Sequence, residues 1–234
     1  MITLIGVGHV FAISENVKEL IRSRRPEVVC LELDPARFNA LMHKNSHRSV
    51  PLQYRLLAYF QTRTAEKFGT EIGGEMLAAA SAAGEIGAKI ALIDLDAARV
   101  FAQLWRKMSF REKMNLLGGA AIGLFMPKKT VEREMDKYEG NEAQYLETLG
   151  QGFPAVKEVL IDDRNKHMVE QLKAIASQHS NIVAVVGDGH IPGIVESLKP
   201  LETEVVRLRD IRSGAVQTPA SGAEYSTTFW YHNE

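Results

Sequence analysis

Two short glycine and histidine motifs follow apolar segments that lie far apart in the chain. The first is Gly6-Val7-Gly8-His9 and the second is Gly187-Asp188-Gly189-His190. An imidazole ring binds divalent metals and transfers protons near neutral pH. Glycine permits a sharp turn with positive φ and a close approach of the backbone. We therefore predict that Gly6, Gly8, Gly187 and Gly189 form binding loops in which each histidine ring points into a cleft. The repetition favours a functional site over two unrelated structural histidines.

A glutamate interrupts another apolar segment, Val28 to Leu33. An unpaired carboxylate at Glu32 would cost several kcal/mol, so we expect a cation, a hydrogen-bond donor or a metal to compensate it. Two imidazoles and one carboxylate form a common ligand set for a catalytic divalent metal with an open position. The sequence therefore predicts a metal site formed by His9, His190 and Glu32.

Three further acidic residues have a structural explanation beside the functional one. Asp94 and Asp96 follow a third apolar segment, where a carboxylate either joins a site or caps the next helix. Glu75 falls in the first turn of a predicted helix, where a negative charge is favourable by itself. The residue types alone leave both explanations open.

Five short runs rich in β-branched residues predict the strands of one sheet. Each run is nearly continuous, which is typical of strands covered on both faces. A helical pattern after Ser14 separates the first two runs, so we expect a βαβ unit whose strands form a parallel pair. Ligands bind outside the carboxyl ends of such strands, where the histidines and carboxylates fall. The runs are Ile2 to Val7, Val28 to Leu33, Ile90 to Ile93, Ile182 to Val186 and, more weakly, Val205 to Leu208.

The predicted fold is α/β, with a central, mostly parallel sheet of about four to six strands flanked by helices. Helical patterns cover Asp34 to Ala88, including an Ala-rich helix from about Gly74 to Ala83. A longer helical stretch, roughly 97–180, separates the third and fourth strands and forms an insertion or lid. We expect one domain over 1–234, with a loose tail at about 210–234.

Composition narrows the possible classes of function. The 234 residues include 28 Lys and Arg against 29 Asp and Glu, and a formal net charge of -1 argues against a dedicated nucleic-acid binder. A single cysteine, Cys30, excludes a disulfide framework and favours a reducing compartment. No secretory signal is evident, and the longest apolar run, Leu116 to Met126, is far shorter than a membrane span of about 20 residues. We therefore expect a cytoplasmic protein without a transmembrane segment.

The same apolar run has two possible uses. Its small residues, Gly118 to Gly123, favour tight helix packing inside the fold or in a homodimer. Interfacial contact with a membrane is the alternative.

Established motifs of several other enzyme classes are missing from the sequence. The first motif begins like the dinucleotide fingerprint GxGxxG but lacks its last glycine, so no nucleotide cofactor is expected. The Gly-x-Ser-x-Gly elbow and the His-Glu-x-x-His helix are also missing. Serine hydrolases of that type and ordinary zincins are therefore disfavoured.

The order of the motifs resembles the TraB domain family, also called TraB/PrgY. The resemblance covers about 2–208, and its most specific part is the block Val185-Val186-Gly187-Asp188-Gly189-His190-Ile191-Pro192-Gly193-Ile194. One departure is Asp94-Leu95-Asp96, where the family often has Asp-Arg-Asp. The weaker parts are Ile5-Gly6-Val7-Gly8-His9, Glu32-Leu33-Asp34 with Arg37, Gly73-Gly74-Glu75-Met76 and Asp162-Asp163-Arg164.

The resemblance implies a place in a wider group with the Tiki proteases and, more distantly, with erythromycin-esterase-like and ChaN-like folds. In that group two Gly-x-x-His motifs and a glutamate form the centre of a proposed metal-dependent peptidase site. PrgY-like members are associated with small peptide pheromones, which implies a short peptide as substrate. By position the site residues are Gly6 with His9, Gly187 with His190, and Glu32, supported by Arg37, Glu75 and Arg164.

Three functional hypotheses follow. The leading one is a metal-dependent hydrolase of short peptides, in which His9 and His190 hold Mn²⁺, Co²⁺ or Zn²⁺ and Glu32 is the third ligand or the general base. Arg37 or Arg164 would hold a peptide carboxylate or stabilise the oxyanion. The second is a peptide-binding or sequestering module that uses the same cleft without turnover. The third is a metal-free, esterase-like hydrolase in which His9 and Glu32 transfer protons.

Overall fold

Five strands form one parallel sheet in the computed structural model. The structure describes residues 1–8, 13–43, 73–115, 118, 147–148 and 150–214. Within these residues the strand order is β3-β2-β4-β1-β5, and every neighbouring pair is parallel. The α/β prediction is therefore confirmed. The strands are β1 Ile2–Val7, β2 Val28–Leu31, β3 Lys89–Leu92, β4 Ile182–Gly187 and β5 Thr203–Val206.

The predicted parallel pair of β1 and β2 is wrong in one respect. The two strands are parallel, but β4 lies between them and pairs with both. Ile2 is opposite Ile182, and Val28 is opposite the same residue from the other side. The pairing of β4 with β1 and β2 joins segments that are distant in sequence, so no local sequence pattern predicts it. The parallel orientation of β1 and β2 is predictable, because a helix connects them. As a result, the end of β4 lies between the ends of β1 and β2.

Helices cover both faces of the sheet. On one face, side chains such as Val17 of α1 and Ala79 of α3 pack against alternate strand residues such as Val29. On the other face, Met168 of α6 and Ile194 of α7 pack against the remaining strand residues. β1, β2 and β4 are buried except at Gly187, which agrees with their nearly continuous apolar runs. The edge strand β3 differs from this expectation, because Lys89 and Ile90 are exposed. The α-helices of the described residues are α1 Ser14–Arg24, α2 Pro35–Met42, α3 Gly74–Ile86, α4 Ala97–Lys107, α5 Pro154–Lys157, α6 Asp163–Ala176, α7 Ile191–Leu198 and α8 Leu208–Arg212.

The segment between β3 and β4 is helical over most of its described residues. It contains α4, a helical segment at 110–115, and α5, which continues through a π-helical turn, Glu158–Asp162, into α6. A separate apolar cluster that includes Leu104, Met108 and Val159 joins α4 to the α5 region. The predicted tail beyond 214 and most of the predicted small-residue stretch, 119–123, lie outside the described residues. The tail and homodimer hypotheses therefore stay predictions.

Candidate functional site

A chain of buried charges lies at the carboxyl edge of the sheet. Glu32 is the first residue after β2, and Asp94 lies two residues beyond the end of β3. The Arg164 guanidinium of α6 joins them, because Nη2 donates to Glu32 Oε1 and to Asp94 Oδ2 at 2.7 Å, while Nε donates to Asp94 Oδ1 at 3.0 Å. The bidentate contact with Asp94 fixes the plane of the guanidinium.

A second arginine extends this chain toward solvent. Arg37 donates from Nη2 to Asp94 Oδ2 at 2.5 Å and from Nε to Asp34 Oδ2 at 2.6 Å. Asp34 also caps α2, because its Oδ1 accepts from the backbone N–H groups of Ala36 and Arg37. Three carboxylates, Glu32, Asp34 and Asp94, thus contact two guanidinium groups, so this set carries one more negative charge than positive charges.

Of the two explanations for Asp94 and Asp96, a role in the site applies to Asp94 and helix capping applies to Asp96. Asp94 belongs to the site through its two arginines. Asp96 caps α4, because its Oδ1 accepts from the Arg99 N–H at 2.8 Å. The capping explanation therefore accounts for Asp96.

The site keeps Glu32 ionised. Burial raises the pKa of Glu32, but the hydrogen bond and charge of His190, the charge of Arg164 and the Gly187 N–H lower it by more, so the pKa lies well below its usual value. Burial likewise lowers the pKa of Arg164, but the nearby Asp94 and Glu32 carboxylates raise it by more. Both groups are charged at neutral pH.

His190 is buried beside Glu32 and has a defined orientation. Its Nε2 lies 3.4 Å from Glu32 Oε1, and the two side chains are only 6% and 8% exposed. Its Nδ1 lies 2.7 Å from Oδ1 of Asn165, the residue after Arg164 in α6. Since this oxygen is an acceptor, the contact places a proton on Nδ1, and Nε2 of a neutral ring carries the lone pair. Asn165 was not among the predicted site residues.

Glycines are required here for space rather than for positive φ. Gly187 has φ -57° and ψ 135°, and Gly6 lies within β1, so the expected left-handed turn at these positions is wrong. The expected close approach is confirmed. A Cβ at Gly187 would lie 3.3 Å from Glu32 Oε2, whereas a Cβ at Gly6 would overlap Asp188 Oδ1 and one at Gly193 would overlap Asn165 Nδ2.

Asp188 fixes the turn that carries His190. Its carboxylate accepts from Arg207 Nε at 2.9 Å and Nη2 at 2.7 Å, and from the Leu208 N–H at 2.9 Å. Arg207 directly follows β5, so this pair connects the end of β5 to the short 3-10 helix Asp188–His190. Arg207 was not among the predicted site residues. It is a single arginine after a weakly predicted strand, and no motif in the sequence marks it as functional.

The roles of the remaining predicted site residues stay predictions. His9 lies outside the described residues, so the full set of His9, His190 and Glu32 stays a prediction. Gly8 is partly buried after β1, and Gly189 lies in the 3-10 helix. Glu75 is buried in the first turn of α3. Within the described residues no group of three or more His, Cys, Asp and Glu side chains is placed to hold a metal ion.

Comparisons with known proteins cover this whole region. The sequence model of the TraB/PrgY/gumN family matches residues 1–207. This range includes the five described strands and both glycine and histidine motifs. The chain is also 34% identical over 218 residues to the Uncharacterized protein MJ1365 of Methanocaldococcus jannaschii. That alignment covers 86% of this chain and 54% of the relative, so the chain spans about half of the relative's length. Among the described helices, none combines the length and apolar character that a membrane crossing requires.

Proposed function

The chain belongs to the TraB/PrgY/gumN family, and from that premise we propose that it is a metal-dependent hydrolase of peptide bonds in short peptides. The observation that carries the proposal is the contact of His190 Nε2 with Glu32 Oε1 at 3.4 Å. With a proton on Nδ1, the Nε2 atom of His190 faces a carboxylate oxygen of Glu32, and a proton or a metal ion can lie between these two atoms. A divalent metal at this place would replace the Nε2 proton and would bind both electron-pair donors.

The surroundings of the pair support a bound cation. Metal-binding histidines usually donate their other ring N–H to a fixed acceptor, as His190 does to Asn165 Oδ1. The three carboxylates exceed the two guanidinium groups by one charge, so an added cation improves the balance. His190 and Glu32 would hold the ion, with His9 as the expected third ligand. A divalent ion at this place supplies Lewis-acid activation of a carbonyl group and of water.

The state of Glu32 favours the ligand role over the general-base role. A general base works best when its pKa lies near the operating pH. The pKa of Glu32 is far below that range, because His190, Arg164 and the Gly187 N–H stabilise its charged form more than burial destabilises it. A stably ionised carboxylate is a good metal ligand.

Of the two arginines, Arg37 is the better anchor for a peptide carboxylate. Arg164 is only 15% exposed and uses all three of its nitrogens on Asp94, Glu32 and the Leu160 carbonyl oxygen. Arg37 is 36% exposed and uses Nε and Nη2 on Asp34 and Asp94. Its Nη1 has no partner among the described residues, so it can bind a carboxylate of the substrate.

A peptide library tests the proposal. The protein is stripped with a chelator, supplied with Mn²⁺, Co²⁺ or Zn²⁺, and assayed for products by mass spectrometry. We expect metal-dependent cleavage that falls by about 10²-fold or more in Glu32→Gln. Glu27→Gln is the matched control, because Glu27 lies at the opposite edge of the sheet next to β2. Saturable peptide binding without products under any metal would contradict the hydrolase and support a sequestering module.

A metal-free hydrolase is the second candidate. The same 3.4 Å contact also suits a protonated His190 that pairs with Glu32 and transfers a proton. This candidate predicts full cleavage after exhaustive chelation and no stimulation by added metal. The metal-dependent proposal predicts the reverse for both measurements.

A further inference from the structure

The second region that could bind a partner is a basic and aromatic surface on α4 and on the helical segment at 110–115. Trp105, Phe110 and Met114 are 44%, 79% and 53% exposed, and they are three of the seven large apolar side chains with high exposure in the described residues. Exposed apolar side chains that cluster on one part of a surface mark interaction sites more often than isolated ones do. We call this cluster, together with the basic residues below, the Trp105 surface.

Local packing holds these side chains outward. Leu104 and Met108 bury the other side of α4 against the α5 region. Glu112 points inward, where its carboxylate accepts from the Ser109 N–H at 2.8 Å and from the Ala155 N–H at 3.0 Å. In a helix, residues two positions before and after Glu112 lie on the opposite side, so Phe110 and Met114 face solvent.

The same two helical segments carry several positively charged side chains. Arg99, Arg106 and Arg111 are exposed, and Lys113 Nζ lies 5.1 Å from the Trp105 ring centroid. The ring itself is stacked near Phe101 with a centroid separation of 6.3 Å.

The nearby acidic side chains in the described residues are already engaged. Glu158 and Asp163 contact Lys107 at 2.7 Å and 3.6 Å, and Asp162 contacts Lys157 at 2.7 Å. Glu112 is buried, and in the sequence no charged residue occurs between Asn115 and Pro127. The Trp105 surface therefore keeps its positive character.

We propose that the Trp105 surface docks on an anionic lipid bilayer. Exposed Trp and Phe side chains beside Arg and Lys are typical of interfacial membrane binding, because the rings enter the headgroup region while the cations attract acidic lipids. A second copy of this chain fits poorly, since a twofold contact would place the same cations opposite each other. A nucleic acid fits less well than a bilayer, because Phe110 protrudes at 79% exposure instead of lining a groove.

Vesicle binding tests this proposal without reference to peptide cleavage. The probes are vesicles of phosphatidylcholine alone and of phosphatidylcholine mixed with phosphatidylserine, assayed by co-sedimentation. We expect binding to the mixed vesicles that weakens with salt and falls about tenfold or more in Arg106→Gln with Arg111→Gln. Phe110→Ser with Met114→Ser lowers binding as well. Met42→Ser with Leu201→Ser is the matched control, since both residues are exposed elsewhere, and it keeps wild-type binding.

Fluorescence locates the contact. The chain has two tryptophans, Trp105 and Trp230, so a Trp230→Phe protein reports on Trp105 alone. We expect its emission to shift to shorter wavelength on the mixed vesicles. Equal vesicle binding by wild type and both double variants, or no binding at all, would overturn the proposal. So would a dimer, or binding of a single-stranded oligonucleotide, that Phe110→Ser with Met114→Ser abolishes.

Discussion

A histidine and glutamate pair lies at each edge of the sheet, and the two pairs differ in burial and in the charges around them. At the amino edge, His179 Nδ1 lies 2.9 Å from Glu27 Oε2, with side-chain exposures of 20% and 45%. At the carboxyl edge, His190 and Glu32 are 3.4 Å apart and almost fully buried. The shorter contact is the more exposed one. Distance therefore does not identify the functional pair, whereas burial and surrounding charge do.

The partners of the two glutamates explain this difference. Glu27 accepts from the Ser180 hydroxyl at 2.7 Å and from the Ser180 and Asn181 N–H groups, which close the loop that leads into β4. Its pKa falls to about 2, first because of the hydrogen bond to His179 and then because of those to Ser180. Glu32 also has a lowered pKa, but it shares Arg164 with a second buried carboxylate. A lowered pKa is common to both glutamates, but of the two only Glu32 shares its arginine with a second buried carboxylate, Asp94.

Loss of Arg164 should have the largest effect on stability. Arg164→Ala leaves Glu32 and Asp94 buried without their shared cation, and removal of one partner from a buried ion pair costs about 3 to 5 kcal/mol. Urea unfolding measures the loss. Arg22→Ala is the control, because Arg22 and Glu85 are both 43% exposed and contribute little. Equal stability of the two variants would show that the Arg164 ion pairs contribute no more to the free energy of unfolding than an exposed ion pair does.

Asn165→Ala separates orientation from metal binding. The substitution removes the acceptor for His190 Nδ1, so the ring loses its fixed tautomer and direction. We expect metal affinity, measured by calorimetry, to fall about 10- to 100-fold. Asn165→Asp keeps an acceptor oxygen at this position and should recover part of the affinity. Unchanged affinity in Asn165→Ala would show that Asn165 does not orient His190 for metal binding.

Two substitutions of glycine by alanine should change the stability of the fold in opposite directions. A Cβ at Gly6 would overlap the Asp188 carboxylate, so Gly6→Ala should destabilise the fold by about 1 to 3 kcal/mol. Gly84 lies inside α3, and a Cβ there would meet nothing within 4 Å, so Gly84→Ala should stabilise the fold by about 0.4 to 1 kcal/mol. Thermal unfolding of both variants provides the comparison. Stabilisation by Gly6→Ala would contradict the close contact with Asp188.

The pH dependence of stability should be a smaller effect than the loss of Arg164. The folded pKa of Glu32 lies below its usual value of 4.5, so its contribution is complete above pH 4.5 and is lost as the pH falls through the folded pKa. Glu32→Gln removes this contribution. The stability difference between wild type and Glu32→Gln should therefore shrink by about 1 kcal/mol or more as the pH falls below 4.5. A constant difference would indicate that the pKa of Glu32 is not lowered by folding.

The sequence predicted elements better than their partners. The bounds of β1 match the predicted Ile2 to Val7, because a continuous apolar run is a local signal. The placement of β4 between β1 and β2 has no such signal. For Asn165 a usable signal existed: it shares the helical spacing of the buried residues Met168, Val169 and Leu172. A polar residue in an apolar stripe requires a partner, and here the partner is His190.

The most direct test compares the two histidines in one assay of metal-stimulated peptide cleavage. Both variants, His190→Ala and His179→Ala, are assayed with the wild-type protein after their folding is verified by circular dichroism. We predict that cleavage disappears in His190→Ala and stays at the wild-type rate in His179→Ala. Wild-type cleavage by a folded His190→Ala protein would contradict the assignment of the carboxyl edge as the reactive site.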